Sequence, residues 1–240
     1  PSRLDRDGWE RVGATIAVAT GLFALRHEIR NLSQEHRSTG RDGFLSGVRG
    51  VMGGPGFAAG LSLVAWSASF ATHDDREKET AQLLLESLAF SSAFAAVGQF
   101  VVASDRPSKG DEVRCFASKG HGVSGDAAIA ASVVAPLRRQ YLRVRPEDGT
   151  GRRFLKRAGT GLLYAGAFLT AYQRVNGESH WAPDAFLGSA VGLSVGETLC
   201  DAHEGKRAKR VRLAIAPAPG GGAIAVLSIG PSRLARPERD

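Results

Sequence analysis

The sequence predicts an all-α fold, a bundle of about six helices followed by a C-terminal β-hairpin. Three observations lead there. Five uncharged stretches, Val12–Leu25, Val51–Thr72, Ser87–Ser104, Ala158–Gln173 and Ala185–Gly196, have helical rather than strand length and end at polar or breaker residues. Their apolar character comes largely from Ala and Gly: the chain has 30 glycines and 7% aromatic residues, and small residues let helices approach closely. Near-alternation of apolar residues, the strand signal, marks the tail.

Taken in order, Asp7–Arg30 reads as an entry helix, with Asp5 or Asp7 as a cap and His27-Glu28-Ile29-Arg30 closing its apolar run. Asn31–Gly43 is polar and loop-like. Phe44–Met52 is a short amphipathic piece that stops at the breaker Gly53-Gly54-Pro55-Gly56. Phe57–Ala71 and Glu77–Ala103 are helices, the second carrying Leu83, Leu84, Leu88, Phe90 and Phe94 at helical spacing. A loop rich in Pro, Lys and Gly, Asp105–Val123, leads to a helix at Ser124–Tyr141 and a turn at Arg145–Gly151. Arg152–Tyr172 is helical, Gln173–Trp181 is a loop, and Pro183–Cys200 is the last helix, with Pro183 in the first turn where proline is tolerated. The basic run Lys206–Arg210 precedes the hairpin, whose strands hold Leu213 and Ile215, then Ile224, Val226 and Ile229, around a Pro-Gly turn. The expected organisation is a helical domain over 1–204 and a basic segment with hairpin over 205–240.

A formal net charge of +7 and a pI near 9.9 call for an anionic partner. No basic recognition helix or aromatic-interleaved basic strand is present, so nucleic acid ranks last. A phosphorylated small molecule and an anionic membrane surface both fit, and the charge does not choose between them. The mean hydropathy of −0.12 and the Pro, Gly and Ser in Val51–Thr72 favour a soluble or peripheral bundle over a multi-pass protein. The chain opens at Pro1 without an initiator Met, and a signal peptide removed by processing is the expectation. Cys115 and Cys200 have no metal-ligand spacing; they can pair in an oxidising compartment or stay thiols.

Three polar islands sit between helices: Arg106-Pro107, Ser118-Lys119-Gly120-His121, and Arg174 with His180 and Asp184. Each places a His or Arg just before an apolar helix, and a helix N-terminus is a ready anion site. Two forked guanidinium groups can add bidentate contacts to one phosphate. His180 and Asp184, four apart, share a helix face, so the carboxylate can take the imidazole N–H and leave the other nitrogen nucleophilic. His27, His36, His73 and His203 have no such partners and read as surface residues. Gly220-Gly221-Gly222 lacks a following Lys-Ser/Thr and reads as a turn rather than a phosphate loop.

Arg174, five residues, His180, three residues, Asp184 resembles the third signature of the type 2 phosphatidic acid phosphatase/haloperoxidase superfamily, with Gln173 in place of its usual Ser. Gly120-His121 resembles the end of the second signature, Pro-Ser-Gly-His, with Ser118 and Lys119 at the Pro and Ser positions. Arg106-Pro107 resembles the end of the first, whose Lys falls on Gln99. The three occur in family order over Gln99–Gly188.

The resemblance implies a metal-independent, cofactor-free phosphatase in the cell envelope, periplasmic or membrane-associated, acting on a phosphomonoester or pyrophosphate of a lipid or isoprenoid. It implies His180 as nucleophile forming a phosphohistidine, Asp184 as its orienting partner, and His121 as general acid. Arg106, Arg174 and the Gly120 N–H would bind the phosphoryl oxygens. Gln99 and Lys119 occupy phosphate-contacting positions with altered chemistry, and Lys119 or Lys109 is a candidate to restore the charge missing at Gln99. Two other outcomes stay open: a degenerate, non-catalytic phosphate binder, and a vanadate-dependent haloperoxidase, which is disfavoured because such members are generally much longer.

Overall fold

The structure is a computed structural model that describes residues 6–117, 120–205, 212–217 and 223–228. Its elements run α1 (Arg6–Ala24), α2 (Arg26–Glu35), α3 (Thr39–Met52), α4 (Pro55–Thr72), α5 (Asp75–Val101), β1 (Val102–Ser104), β2 (Val113–Cys115), α6 (Gly125–Ser132), α7 (Val134–Tyr141), α8 (Thr150–Asn176), α9 (Ala182–His203), β3 (Arg212–Pro217) and β4 (Ala223–Ser228). The chain divides into two units, Pro1–Glu197 and Thr198–Asp240. In the second, β3 and β4 pair antiparallel, from Arg212 opposite Ser228 to Pro217 opposite Ala223. The basic run 206–210, the link 218–222 and Ile229 lie outside the described residues.

The mostly helical architecture is as expected, but its segmentation is finer. The entry helix bends by 63° at Leu25 between α1 and α2. The region expected to be a loop before Phe44 is largely helical, because Ser38 accepts the Arg41 N–H and starts α3 several residues early. The 124–141 helix breaks at Val133, ahead of Pro136, whose ring cannot sit in a helix interior. The helix expected to reach Ala103 ends at Val101, and β1 pairs antiparallel with β2 inside the Pro- and Lys-rich loop, Ser104 opposite Val113.

Helix α6 is the hub of the first unit. All six residues from Ala127 to Ser132 are buried. It packs against α5 and α8, and along α9 it meets a stripe of glycines one turn apart, Gly188, Gly192 and Gly196. A Cβ on these would lie 2.3, 2.1 and 2.4 Å from the carbonyl oxygens of Ser124, Ala128 and Ser132. Gly192→Leu should therefore push α9 off α6 and lower thermal stability by about 1–3 kcal/mol or more. Gly161→Ala, in a helix position with nothing near its Cβ, should leave stability unchanged or slightly raised. Thermal unfolding in detergent compares the two.

The distribution of side chains runs opposite to that of a water-soluble bundle. Hydroxyls line the interior: Ser62 donates to the Ala81 carbonyl across α4 and α5, and Ser91, Ser132 and Thr170 bond back to their own helices. Large apolar side chains face outward instead, including Leu162 (73% exposed), Phe154 (69%) and Phe168 (68%) on α8 and Leu63, Val64 and Phe70 on α4. Of the helical-spaced set on α5, Leu83 and Leu84 are buried while Phe94 is 54% exposed. Water tolerates only small contiguous apolar patches, whereas a bilayer accepts them and puts small residues at helix contacts. Among the described residues α5 alone is long and apolar enough to cross a membrane, and the bent pairs α1–α2 and α3–α4 bring the number to three if each counts as one span. The arrangement argues against the soluble bundle favoured from mean hydropathy. That average was lowered by the charged residues, 23% of the chain, most of which lie outside the apolar stretches.

Candidate active site

The site is built where three loops meet at the N-termini of α6 and α9. The β1–β2 pair ends in a tight turn holding Arg106, closed by the Asp105 N–H on the Glu112 carbonyl at 2.8 Å. The segment 120–123 then returns along β1, its His121 N–H donating to the Ser104 carbonyl at 3.0 Å. Only glycine permits this approach. A Cβ on Gly120 would lie 2.2 Å from Ala103 Cα, and one on Gly122 would lie 1.6 Å from the Val102 carbonyl oxygen. Gln99 Nε2 donates to the Val123 carbonyl at 2.8 Å and ties the segment to α5. Ser124 then caps α6, and its own N–H bonds the Asp184 carbonyl at the start of α9.

The third loop folds back on the end of α8. The Arg174 carbonyl accepts both the Ser179 and His180 N–H groups, and Arg30 of α2 grips Glu178. Trp181 donates from Nε1 to the Asp105 carbonyl at 3.0 Å, joining this loop to the β1–β2 turn. Asp184 accepts the Trp181 N–H and the Ser104 hydroxyl, each at 3.1 Å through Oδ2.

His180 is 7% exposed. Its Nδ1 lies 2.8 Å from the His121 carbonyl oxygen. A carbonyl can only accept, so in the neutral ring Nδ1 carries the hydrogen and Nε2 carries the lone pair. This differs from the expected His180–Asp184 pair. Asp184 is the third residue of α9, and its carboxylate reaches back to the N–H of the residue before the helix, as in a capping box. It holds the loop that carries His180, while the backbone of His121 orients the ring. The two imidazoles sit edge to face with centroids 6.4 Å apart.

Burial and the Arg174 charge push the His180 pKa down to about 4, so the ring is neutral at physiological pH. His121 is also held below its ordinary 6.5, by burial first and then by Arg106 and Lys109, with Asp105 acting the other way. Arg174 reaches Asp126 at 3.3 Å, and Arg49 of α3 donates to the same Asp126 oxygen at 2.8 Å. The Nε atoms of Arg106 and Arg174 are buried and have no hydrogen-bond partner. Among the described residues no three His, Cys, Asp or Glu side chains are grouped to hold a metal ion.

The structure thus brings His121, His180, Asp184, Arg106, Arg174 and Gly120 into one neighbourhood. Gln99 lies behind the loop, its amide already bonded to the Val123 carbonyl rather than offered to a ligand. Lys119 lies outside the described residues. Cys115 is an exposed thiol. Sequence reasoning missed Ser104, Asp126 and Arg49. Asp126 carried only the signal of an acidic residue in a first helical turn, which any helix can show, and nothing in the spacing linked Arg49 to it.

No family model matches the chain, and neither does any curated protein. Two solved structures do match. A transmembrane PAP2-type phosphatidylglycerolphosphate phosphatase from Bacillus subtilis superposes with a TM-score of 0.62 at 17% identity, over 80% of this chain and 95% of its own. The chain has the PAP2 fold. Aquifex aeolicus LpxE, at a TM-score of 0.53 and 18% identity, covers 74% of this chain and 95% of its own. At such identities the PAP2 likeness is one of architecture, and the chemistry has to be argued from the residues above.

Proposed function

We propose that this chain is a membrane-embedded, metal-independent phosphatase of lipid or isoprenoid phosphates, with its site on the periplasmic side of the cell envelope. The observation that carries the chemistry is the His180 Nδ1 bond to the His121 carbonyl, which leaves Nε2 as a neutral nucleophile beside two guanidinium groups with unpartnered Nε atoms. Nε2 attacks phosphorus as the P–O bond to the leaving alcohol breaks, and His121 gives that oxygen its proton. Water then attacks the phosphohistidine, returns a proton to His121, and releases phosphate with His180 restored. The two rings, with centroids 6.4 Å apart, are close enough to serve one phosphoryl group.

The lipid part of the reading rests on the outward apolar surface and on a cavity of about 330 Å³ beside the catalytic loop. That cavity is lined by Ile16, Phe23, Val102, Trp181, Pro183 and Leu187, with Asp184 in its wall. One of the two matched structures is, by its own description, a transmembrane phosphatidylglycerolphosphate phosphatase. The test is phosphate release from a short-chain phosphatidic acid in EDTA. Sustained release is expected; loss in EDTA would overturn the metal-independent mechanism, and no release under any condition would favour the non-catalytic phosphate binder.

The pH profile follows from the two histidines. Attack needs neutral His180, available above about pH 4. Proton donation needs protonated His121, and its lowered pKa means the proton is lost sooner as pH rises. A bell in kcat/KM with its maximum between about 4 and 6.5 is expected. Lys109→Gln removes a charge that depresses His121, so the alkaline limb should move to higher pH. A limb set by the substrate's own ionisation would stay where it is.

A further inference from the structure

We propose that Arg49 is the third cation of the phosphate pocket, supplying from α3 the positive charge that Gln99 lacks, and that Asp126 is the carboxylate that positions it beside Arg174. This rests on the phosphatase reading and adds a residue that no sequence motif marks. Arg49 and Arg174 lie on helices that pack together: one turn after Arg49, a Cβ on Gly53 would meet Thr170, one turn before Arg174. Both guanidinium groups converge on Oδ2 of Asp126, at 2.8 and 3.3 Å, in the first turn of α6. That turn follows directly on the Gly120–Val123 segment. Arg174 keeps a buried Nε without a partner, so its fork is only partly used by Asp126. The Arg49 side chain is 42% exposed and has room to swing from the carboxylate to a bound anion.

Gln99 gives the proposal a sharp test, because its amide nitrogen lies 3.9 Å from where a Gly125 Cβ would be, at the same first turn of α6. A lysine there would deliver an ammonium next to Asp126 from the opposite side. Had Arg49 only tied α3 to α6, a charge arriving from α5 could not replace it.

The experiment uses the full chain in detergent. It measures kcat and KM on short-chain phosphatidic acid, inhibition by orthovanadate, and calorimetric binding of inorganic phosphate. Four variants are compared with wild type: Arg49→Ala, Arg49→Lys, Asp126→Asn, and Arg49→Ala with Gln99→Lys. Arg49→Ala should lower kcat/KM about a hundredfold and weaken vanadate and phosphate by about tenfold or more. Arg49→Lys should keep most of both, and the double variant should recover at least about tenfold over Arg49→Ala. Asp126→Asn should raise KM more than it lowers kcat, since it loosens both cations without removing either. Unchanged vanadate inhibition in Arg49→Ala, or no recovery in the double variant, would overturn the proposal. If wild type hydrolysed nothing, the phosphatase reading would fail on its own, and phosphate binding by wild type against Arg49→Ala would still decide the role of Arg49.

Discussion

His180→Ala should abolish phosphate release, with a loss of about 10⁴-fold or more, because the covalent route closes when its nucleophile goes. Quenching a reaction with ³²P-labelled substrate at alkaline pH, where phosphohistidine survives, should trap label on the wild-type chain and none on the variant. The fold should persist. His180 contributes one ring hydrogen bond, and the loop is held independently by the Ser179 and His180 N–H groups on Arg174, by Trp181 on Asp105, and by Asp184 on Ser104. An unlabelled but active wild type would point to direct attack by water, and His180 would then be a base rather than a nucleophile.

His121→Ala should slow the phosphorylation step, read as the burst of alcohol release, by about 10²–10⁴-fold on an alkyl phosphate, whose leaving oxygen needs a proton, and far less on p-nitrophenyl phosphate, whose phenolate leaves unaided. Steady-state turnover should fall on both, because His121 also takes the proton of the attacking water. The contrast in the burst separates loss of an acid from loss of structure, since a collapsed site would lose the burst on both substrates. The alanine keeps the backbone carbonyl that receives His180 Nδ1, so the nucleophile should stay oriented and labelling from p-nitrophenyl phosphate should persist. Equal burst losses on the two leaving groups would remove His121 from the general-acid role.

Much of this arrangement was legible from residue order. The spacing of Arg174, His180 and Asp184 and the pair Gly120-His121 pointed to residues that the fold brings together from two segments far apart in the chain. The helices α4 and α5 were readable because strong signals mark their starts, Gly54-Pro55 for one and the capping Asp74 for the other. The partners within the site were less so. Four-residue spacing allows Asp184 to meet His180, but it equally allows the carboxylate to cap its own helix, and the free backbone N–H of Trp181 wins that competition. Likewise Gln99 matched a cation position by counting, while its side chain is bonded to a carbonyl that no pattern reveals.

The membrane relationship was obscured for a different reason. Averaged hydropathy cannot tell whether Phe154, Leu162 and Phe168 point inward or outward; it weighs them together with the serines and alanines that in fact fill the interior. In lipid, apolar tails compete with apolar side chains on nearly equal terms, so close contact between small residues, rather than expulsion of water, holds the helices together.

The hydrogen bond from His180 to the main chain of His121 makes the two imidazoles an interlocked pair. One ring is steered by the peptide that carries the other, and that peptide rests on a strand through contacts only glycine allows. Any force that lifts residues 120–123 off the strand would displace both rings together, so the proposed reaction would have no half-armed state in which a phosphoryl group is captured but its leaving group cannot be released.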